Sequence, residues 1–299
     1  MPLLSLFAVI KANCFLASSR RTCVKVLAVV VISSATMMLA ASAARPDEVP
    51  SQTQRNVAGI VEHRGGRSIL VGTAFFVAVP SQVVPGRAFI YLVTAHHNLL
   101  DPARHALIGL SLTVEDAKTG AMREEPLPAE SRWVLDPRDE NADVAAVPFN
   151  PQNANIAPIP LSSLLGGEGD PLARPETGAQ VYYLTAATVG MTRPRFEALA
   201  RFGHVSVPVP AETGVPGAAA QNLCFLDGGG TPGFSSGAPV FVSAGLRFLL
   251  WGILEANSAA SRDPVFAGLA GVLPANCVAD TVNAMAQIQE KALRAQTAR

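Results

Sequence analysis

The feature that most constrains the fold is a series of short apolar runs, each bounded by turn-forming residues. The runs are rich in β-branched and aromatic side chains, and Gly, Pro, Asn or Asp lies between them. Runs of this length and composition are typical of β-strands. They occur at residues 69–71, 74–79, 89–93, 144–147, 181–184, 205–207, 239–242 and 248–254. The sequence therefore predicts a chain made mostly of β-strands.

A helical period appears only near the end of the chain. Apolar residues at helical spacing predict one face of a C-terminal helix within 273–299, namely Val278, Val282, Met285, Ile288 and Leu293. A Pro-, Gly- and Asn-rich stretch at 150–174 separates the strands into two groups. We expect one β unit at 56–155, a connection at 156–174 and a second β unit at 175–272. Each unit can close as a barrel or pack as a sandwich.

The N-terminal residues have the pattern of an export signal. Arg20, Arg21 and Lys25 precede the uncharged residues 26–44, which contain an Ala-Ser-Ala cleavage pattern. We predict a signal peptide at 1–43 and therefore an exported protein, periplasmic or secreted. An uncleaved membrane anchor is the alternative, because the uncharged stretch is nearly long enough to span a bilayer.

The chain beyond this signal begins with a polar segment and is acidic as a whole. Residues 44–55 are polar and contain Pro46 and Pro50, which predicts a disordered linker. The formal net charge of the whole chain is zero, but residues 1–43 contain bases and no acid. The remaining chain therefore carries a net negative charge. This argues against a nucleic-acid partner, because such partners are bound by basic surfaces.

Cysteine usage bounds both the disulfides and the metal sites. Cys224 and Cys277 are the only cysteines beyond residue 43. In an exported protein they either pair as a disulfide or remain as two buried thiols. The sequence has no Cys-x-x-Cys pair and no Cys/His cluster at zinc-ligand spacing. We therefore expect no metal ion and no organic cofactor.

Candidate catalytic residues lie at the ends of predicted strands. His96 and His97 follow one apolar run, and residues at strand ends can present their side chains to a cleft. Asp143 comes directly before another run, where a carboxylate can orient an imidazole. Small residues surround Ser235 and Ser236, and a tight turn there can aim two backbone amides at one oxygen. Each residue alone is also compatible with an ordinary loop or turn.

In chain order these residues make the sequence resemble the chymotrypsin-like serine proteases, in particular bacterial-type members that need no zymogen activation. The resemblance covers about residues 56–295. It rests on the segments 72–77, 92–97, 133 with 143–145, 201–206, 236–240 and 251–254. It implies an all-β fold of two antiparallel β-barrels packed together with a C-terminal α-helix, and an active site in the cleft between the barrels.

The resemblance also implies a role for each candidate residue. His97 is the general base because the family's histidine follows Thr-Ala-x, Asp143 orients it, and Ser236 is the nucleophile in Ser-Gly-x-Pro. The backbone amides of Phe234 and Ser236 form the implied oxyanion hole. The family usually has Gly where Phe234 stands. A register one residue earlier restores that Gly, so Ser235 is the alternative nucleophile.

The implied function is a serine endopeptidase that cleaves a polypeptide substrate through an acyl-enzyme. No activation by N-terminal trimming is expected, because Ser235 rather than an acid precedes Ser236. A catalytically inactive binding module on the same fold is the alternative. An α/β-hydrolase is excluded, because that fold needs a histidine after its serine and none follows His204. We expect a monomer that contacts a membrane only if the N-terminal segment is retained.

Overall fold

The structure, a computed structural model, describes the greater part of the chain beyond residue 48. The predicted signal peptide, part of the predicted linker and Phe234 lie outside the described residues. Among the residues described, no helix is both long enough and apolar enough to cross a membrane. The described ranges are 49, 51–129, 132–165, 174–189, 195–213, 221–228, 235–244, 247–255 and 268–297.

The first group of strands forms an eight-stranded sheet. The order along the sheet is β5-β4-β1-β2-β3-β7-β6 with antiparallel neighbours, and β8 pairs parallel with β2. The long strand β2 lies near the middle and pairs with both β1 and β3. The strands are β1 (Val57–Arg64), β2 (Arg67–Pro80), β3 (Ala88–Thr94), β4 (Ser111–Glu115), β5 (Met122–Pro126), β6 (Val134–Leu135), β7 (Ala145–Pro148) and β8 (Ile159–Pro160).

The second group of strands forms a closed antiparallel barrel, in the order β10-β11-β14-β13-β12-β9. A mostly β chain with a closed barrel in its second half and a helix near its end is therefore confirmed. The barrel strands are β9 (Gln180–Val189), β10 (Arg195–Thr213), β11 (Gln221–Asp227), β12 (Pro239–Ala244), β13 (Arg247–Glu255) and β14 (Ala270–Pro274).

The first predicted barrel differs from this closed arrangement. Over residues 51–129 and 132–165, no strand pairing joins the two end strands β5 and β6, so the hydrogen-bonded path stays open. The end strand β6 has only two residues and offers few backbone groups for pairing. The structure thus contains one closed barrel and a second, eight-stranded sheet.

Alternation along β2 shows how the sheet takes part in two cores. Phe75 and Val77 belong to a cluster that also contains barrel residues such as Phe241 and helix residues such as Val278. The intervening Phe76 belongs to a separate cluster formed within the sheet itself. Successive strand residues point to opposite faces, so both faces of β2 are apolar and buried. The sheet therefore packs against the barrel on one face and encloses its own core on the other.

The predicted linker does not extend to residue 55. Ser51–Gln54 form a single helical turn, α1, and the Asn56 backbone N–H donates to the Thr53 carbonyl over 3.0 Å. Arg55 is fixed twice: its guanidinium donates to Asn155 Oδ1 at 3.0 Å, and its carbonyl accepts from the Ala157 N–H at 3.0 Å. These partners lie far along the chain, so a polar composition alone gave no sign of them.

The C-terminal helix, α2, spans Ala275–Thr297. Val278, Val282 and Met285 are buried against the core as predicted, but Ile288 is 60% exposed. At 100° per residue, Gln289 rather than Ile288 continues the line of Val278, Val282 and Met285. Gln289 accepts a hydrogen bond from the Tyr91 hydroxyl. The predicted face is therefore wrong at Ile288, because a polar residue takes the inward position in the last turns.

Candidate functional site

The site is built around His97 and Asp143, which the structure brings into direct contact. β3 ends at Thr94, and a 3₁₀ turn, His96–Leu99, follows it. Asp143 Oδ1 accepts the backbone N–H of His97 at 2.8 Å, and Oδ2 pairs with His97 Nδ1. One carboxylate thus fixes both the backbone and the ring of the histidine. With Nδ1 held in this way, Nε2 is the ring nitrogen left to exchange a proton with a reacting group.

Exposure and charge differ between the two partners. The His97 side chain is 43% exposed, whereas that of Asp143 is 13% exposed. Burial alone raises the pKa of Asp143, but the hydrogen bonds and positive charge of His97 outweigh burial and hold that pKa below its ordinary value. Asp143 is therefore ionised at neutral pH and stabilises positive charge on the imidazole.

Ser236 is attached to the histidine turn through its backbone carbonyl. That oxygen accepts a hydrogen bond from the Thr73 N–H at 2.9 Å and another from Asn98 Nδ2 at 2.9 Å. Asn98 directly follows His97, and its Nδ2 also donates to Thr94 Oγ1 at 3.0 Å. The Thr94 hydroxyl in turn donates to the Thr73 carbonyl at 2.8 Å. This buried network joins β2, the end of β3 and the serine segment.

Gly237 is sterically required in the serine segment. Its φ is +85°, and a Cβ atom at this position would lie 2.1 Å from the Thr73 carbonyl oxygen. Only glycine has both the conformational freedom and the space required here. Glycine is therefore required at the position that directly follows Ser236.

Ser235 and His96 are the residues next to the proposed nucleophile and the proposed general base. Ser235 is fully buried, and its Oγ has no hydrogen-bond partner in the described part of the chain. Ser236 is 2% exposed. The backbone N–H of His96 donates to the Asp143 carbonyl at 3.3 Å, so His96 touches the same loop through its main chain.

Glu255 is a residue of this region that the sequence did not single out. It ends β13 and is only 6% exposed. Burial and, secondarily, the negative charge of Asp143 raise the pKa of the Glu255 carboxyl well above its ordinary value. The sequence feature that could have drawn attention to Glu255 is its position directly after the long apolar run at 248–254. Nothing local in that run indicates whether the acid faces solvent or the interior.

The structure also bears on the two cysteines and on the candidate metal ligands. Cys224 and Cys277 are free thiols, and burial raises the pKa of each to about 12. Of the two alternatives, a disulfide or two unpaired thiols, the structure therefore shows unpaired thiols. Among the residues it describes, no group of three or more His, Cys, Asp or Glu side chains could hold a metal ion.

Comparison with known proteins adds no family assignment. No protein-family model matches the chain, and no curated protein matches it in sequence. The chemistry available to the site is therefore inferred from its own residues.

Proposed function

We propose that this protein is a chymotrypsin-like serine endopeptidase that acts on polypeptide substrates. The observation that carries the proposal is the pairing of His97 Nδ1 with Asp143, next to a serine segment hydrogen-bonded to the residue that follows the histidine. Serine alone is a poor nucleophile near neutral pH, whereas a serine beside an oriented imidazole is activated. In this proposal Ser236 is the nucleophile, His97 the general base and Asp143 the residue that orients it.

Packing supports the two-barrel form of this fold. One face of the eight-stranded sheet encloses a core of its own, with Ile60, Phe76, Leu92 and Leu112 fully buried. We take this sheet to be the first barrel, with no strand pairing between its end strands β5 and β6. An enclosed inner core is what distinguishes a barrel-like sheet from a flat one.

The proposed reaction proceeds through an acyl-enzyme. Ser236 Oγ attacks the substrate carbonyl carbon while His97 Nε2 takes the hydroxyl proton and then gives it to the leaving amine. Water attacks the acyl group by the same proton route in reverse and restores the serine. Asp143 remains ionised throughout, in keeping with its lowered pKa. The amides of Ser236 and Phe234 are proposed to stabilise the oxyanion, Phe234 lying outside the described residues.

A labelling experiment tests the nucleophile. Protein beginning at Ala44 is treated with a fluorophosphonate that modifies activated serines, and the modified peptide is identified by mass spectrometry. We expect label on Ser236, loss of label and a fall of about 10⁴-fold in turnover in Ser236→Ala, and retention of both in Ser235→Ala. Label on Ser235 would move the register by one residue. A folded wild-type protein that takes no label would instead favour the inactive binding module.

The same assay tests the general base. We expect His97→Ala to lose turnover about as severely as Ser236→Ala, and the double variant to be little worse than either single variant, because members of a triad act as a unit. His96→Ala is the matched control, since it removes an imidazole from the adjacent position. Inactivation by His96→Ala alone would contradict the assignment.

We also propose that the protein is exported, to the periplasm or the medium, after removal of residues 1–43. The uncharged stretch and its Ala-Ser-Ala end carry this proposal. N-terminal sequencing of protein recovered from the extracytoplasmic fraction should find Ala44 first. An intact N-terminus in a carbonate-resistant membrane fraction would indicate the anchor instead.

A further inference from the structure

The loop between the histidine turn and β4 is hydrogen-bonded to that turn. The Leu100 N–H donates to the His97 carbonyl at 3.2 Å, and the Leu107 N–H donates to the Leu99 carbonyl at 2.8 Å. Leu100 and Ala106 also face each other in an antiparallel β-bridge. Backbone pairing thus fixes the position of this loop relative to the residue proposed as general base.

An apolar cavity of about 300 Å³ lies between this loop and the residues that follow β5. Its larger lining side chains are Leu99, Leu107, Ile108, Leu110, Leu127 and Trp133. The polar atom of the Trp133 ring is already used, because Nε1 donates to the Pro128 carbonyl at 3.3 Å. The walls therefore offer an apolar surface to whatever enters the cavity, without a hydrogen-bonding group that needs a partner.

The cavity extends from the core of the first sheet to the protein surface. Leu99 and Leu110 are buried members of the core that the sheet encloses. Ile108 lines the same cavity but is 93% exposed, the largest exposure among the large apolar side chains of the described residues. A concave apolar surface with an exposed apolar side chain beside it is typical of a binding site. An apolar group that fills the cavity would leave water and would also cover Ile108.

The position of Leu99 indicates which molecule supplies that group. Leu99 belongs both to the histidine turn and to the cavity wall, two residues after His97. Two residues span at most about 7 Å between Cα atoms, so the cavity begins close to the general base. A polypeptide bound for cleavage has to lie against His97, and an extended chain advances about 3.3 Å per residue. Such a chain reaches the cavity within a few residues of the scissile bond.

We propose that this cavity binds an apolar side chain of the polypeptide substrate, about two to four residues from the bond that is cleaved. The inference rests on the proposed function, because it assigns a specificity site to the same reaction. It names the substrate class more closely: polypeptides with Leu, Ile, Met or Phe at one fixed distance from the cleavage site.

Cleavage-site mapping gives the first test. An unfolded protein is digested with protein beginning at Ala44, and the new termini are identified by mass spectrometry. We expect large apolar residues to be enriched at one position within four residues of the cleaved bonds. Two synthetic peptides that differ only there, with Leu or Ser, should differ in kcat/KM by about 10-fold or more. Equal kcat/KM for the two peptides overturns the proposal.

Variants of the cavity test whether it causes this preference. Ile108→Ser removes the exposed apolar side chain, and Ala129→Phe places a ring at an exposed residue of the cavity wall. We expect the Leu/Ser ratio of kcat/KM to fall about threefold or more in Ile108→Ser and to approach 1 in Ala129→Phe. Ile288→Ser is the matched control, since Ile288 is an exposed isoleucine of α2 outside this cavity, and it should keep the wild-type ratio. An unchanged ratio in both cavity variants overturns the proposal.

Binding can be measured without any turnover. The probes are N-acetylleucinamide and N-acetylserinamide, and the signal is the fluorescence of Trp133, because the other tryptophan, Trp251, is buried in the core of the closed barrel. We expect the leucine compound to shift the emission to shorter wavelength and to bind about 10-fold more tightly than the serine compound. Trp133→Phe should abolish the signal. Equal responses to the two compounds would contradict the proposed apolar site.

The outcomes separate this inference from the proposed function. If the fluorophosphonate labels Ser236 but the cleavage sites have no apolar preference, the cavity inference fails alone. If the leucine compound binds as expected but no serine is labelled, the apolar site stands and the protease proposal fails. Dimerisation, or binding to phosphatidylcholine vesicles, that disappears in Ile108→Ser would assign the cavity to a second copy or to a lipid surface and overturn the inference.

Discussion

The side-chain amide of Asn98 donates a hydrogen bond to the main-chain oxygen of Ser236 over 2.9 Å, although 138 residues separate the two in sequence. The same amide group donates to Thr94 Oγ1 at 3.0 Å. Asn98 is buried, so both bonds lie in a low-dielectric environment where they are strong and their loss is costly. The residue after the histidine thus sets the position of the residue proposed as nucleophile.

Asn98→Ala should reduce both stability and turnover. It leaves the Ser236 carbonyl with one donor fewer and opens a small cavity, so we expect the free energy of unfolding to fall by about 1–3 kcal/mol. Denaturant unfolding measures this loss, and kcat should fall with KM little changed because the nucleophile is displaced. Asn98→Asp has the same shape but cannot donate when ionised, and should be at least as damaging. Wild-type stability in Asn98→Asp would show that the hydrogen bonds are not what matters.

Gly72 lies so close to the Asn98 side chain that position 72 has no room for a Cβ atom. A Cβ atom at position 72 would lie 2.3 Å from Asn98 Cγ. Gly72→Ala should therefore destabilise the protein, and we expect Asn98→Ala to relieve part of that clash. In a double-mutant cycle, the loss of unfolding free energy in the pair should be smaller than the sum of the two single losses by about 0.5–3 kcal/mol. Additive losses would contradict direct contact between the two positions.

The matched control for this cycle is Gly59→Ala. Its added Cβ would approach Leu70 Cδ1, at 2.7 Å, which is the end of a flexible side chain that can move. We expect a smaller loss of stability than in Gly72→Ala, and a loss that adds to that of Asn98→Ala. Both glycines lie near β1 and β2, so general disruption of the sheet would affect both cycles alike.

The parts of the fold that were predicted correctly depend on local pattern. Strand-sized apolar runs correctly predicted the β class, and helical spacing correctly predicted α2, because the direction of a side chain follows from the local period. The pairing of His97 with Asp143 was predicted from their positions at strand ends and from the resemblance; the structure shows that the neighbouring strands, β3 and β7, pair with Thr94 opposite Ala145. That register brings the two loops together.

The parts that were missed depend on contacts between distant segments. Ile288 was assigned inward because it is apolar, but the inward position belongs to Gln289, which meets Tyr91. Closure of the first sheet depends on whether β5 and β6 pair, which composition does not decide. Asn98 and Glu255 are polar residues whose burial follows from packing against other segments. No sequence period distinguishes them from solvent-exposed residues.

The lowered pKa of Asp143 makes a testable contribution to stability. Because its folded-state pKa lies below the unfolded value of about 3.9, this contribution is present above that pH and is lost as pH falls through the folded-state pKa. The difference in unfolding free energy between wild type and Asp143→Asn should therefore be largest near neutral pH and shrink toward pH 3. Urea unfolding across pH 3–7 measures it, and parallel curves would contradict the expected ionisation.

Asp280 provides a control of opposite sign. Burial raises its pKa despite the nearby Arg138, whose guanidinium lies 3.2 Å from the carboxylate. Its folded form therefore disfavours ionisation, so relative to wild type Asp280→Asn should gain stability as pH rises through about 4. Opposite trends in the two variants would exclude a general acid effect on the fold.

Activity should not depend on a newly formed N-terminus. Proteases activated by trimming bury the new ammonium group against an acid beside the nucleophile, and here that neighbour is the uncharged, fully buried Ser235. A buried ammonium without a partner is strongly unfavourable. The chain ahead of β1 is also already bonded into the fold: the Asn56 carbonyl accepts the Phe76 N–H at 3.0 Å, and Arg55 binds Asn155. We therefore expect equal kcat/KM on an unfolded protein substrate for protein beginning at Ala44 and for the same protein with extra residues fused ahead of it.

Trimming to Val57 removes the bonds of Arg55 and Asn56 and should lower the unfolding free energy by about 2–4 kcal/mol, at about 1 kcal/mol per bond, without raising activity. Activity that appears only after trimming to one new N-terminus would contradict the prediction. Asp227, an exposed acid that accepts the Gly228 N–H at 2.7 Å, would then be the first residue to replace.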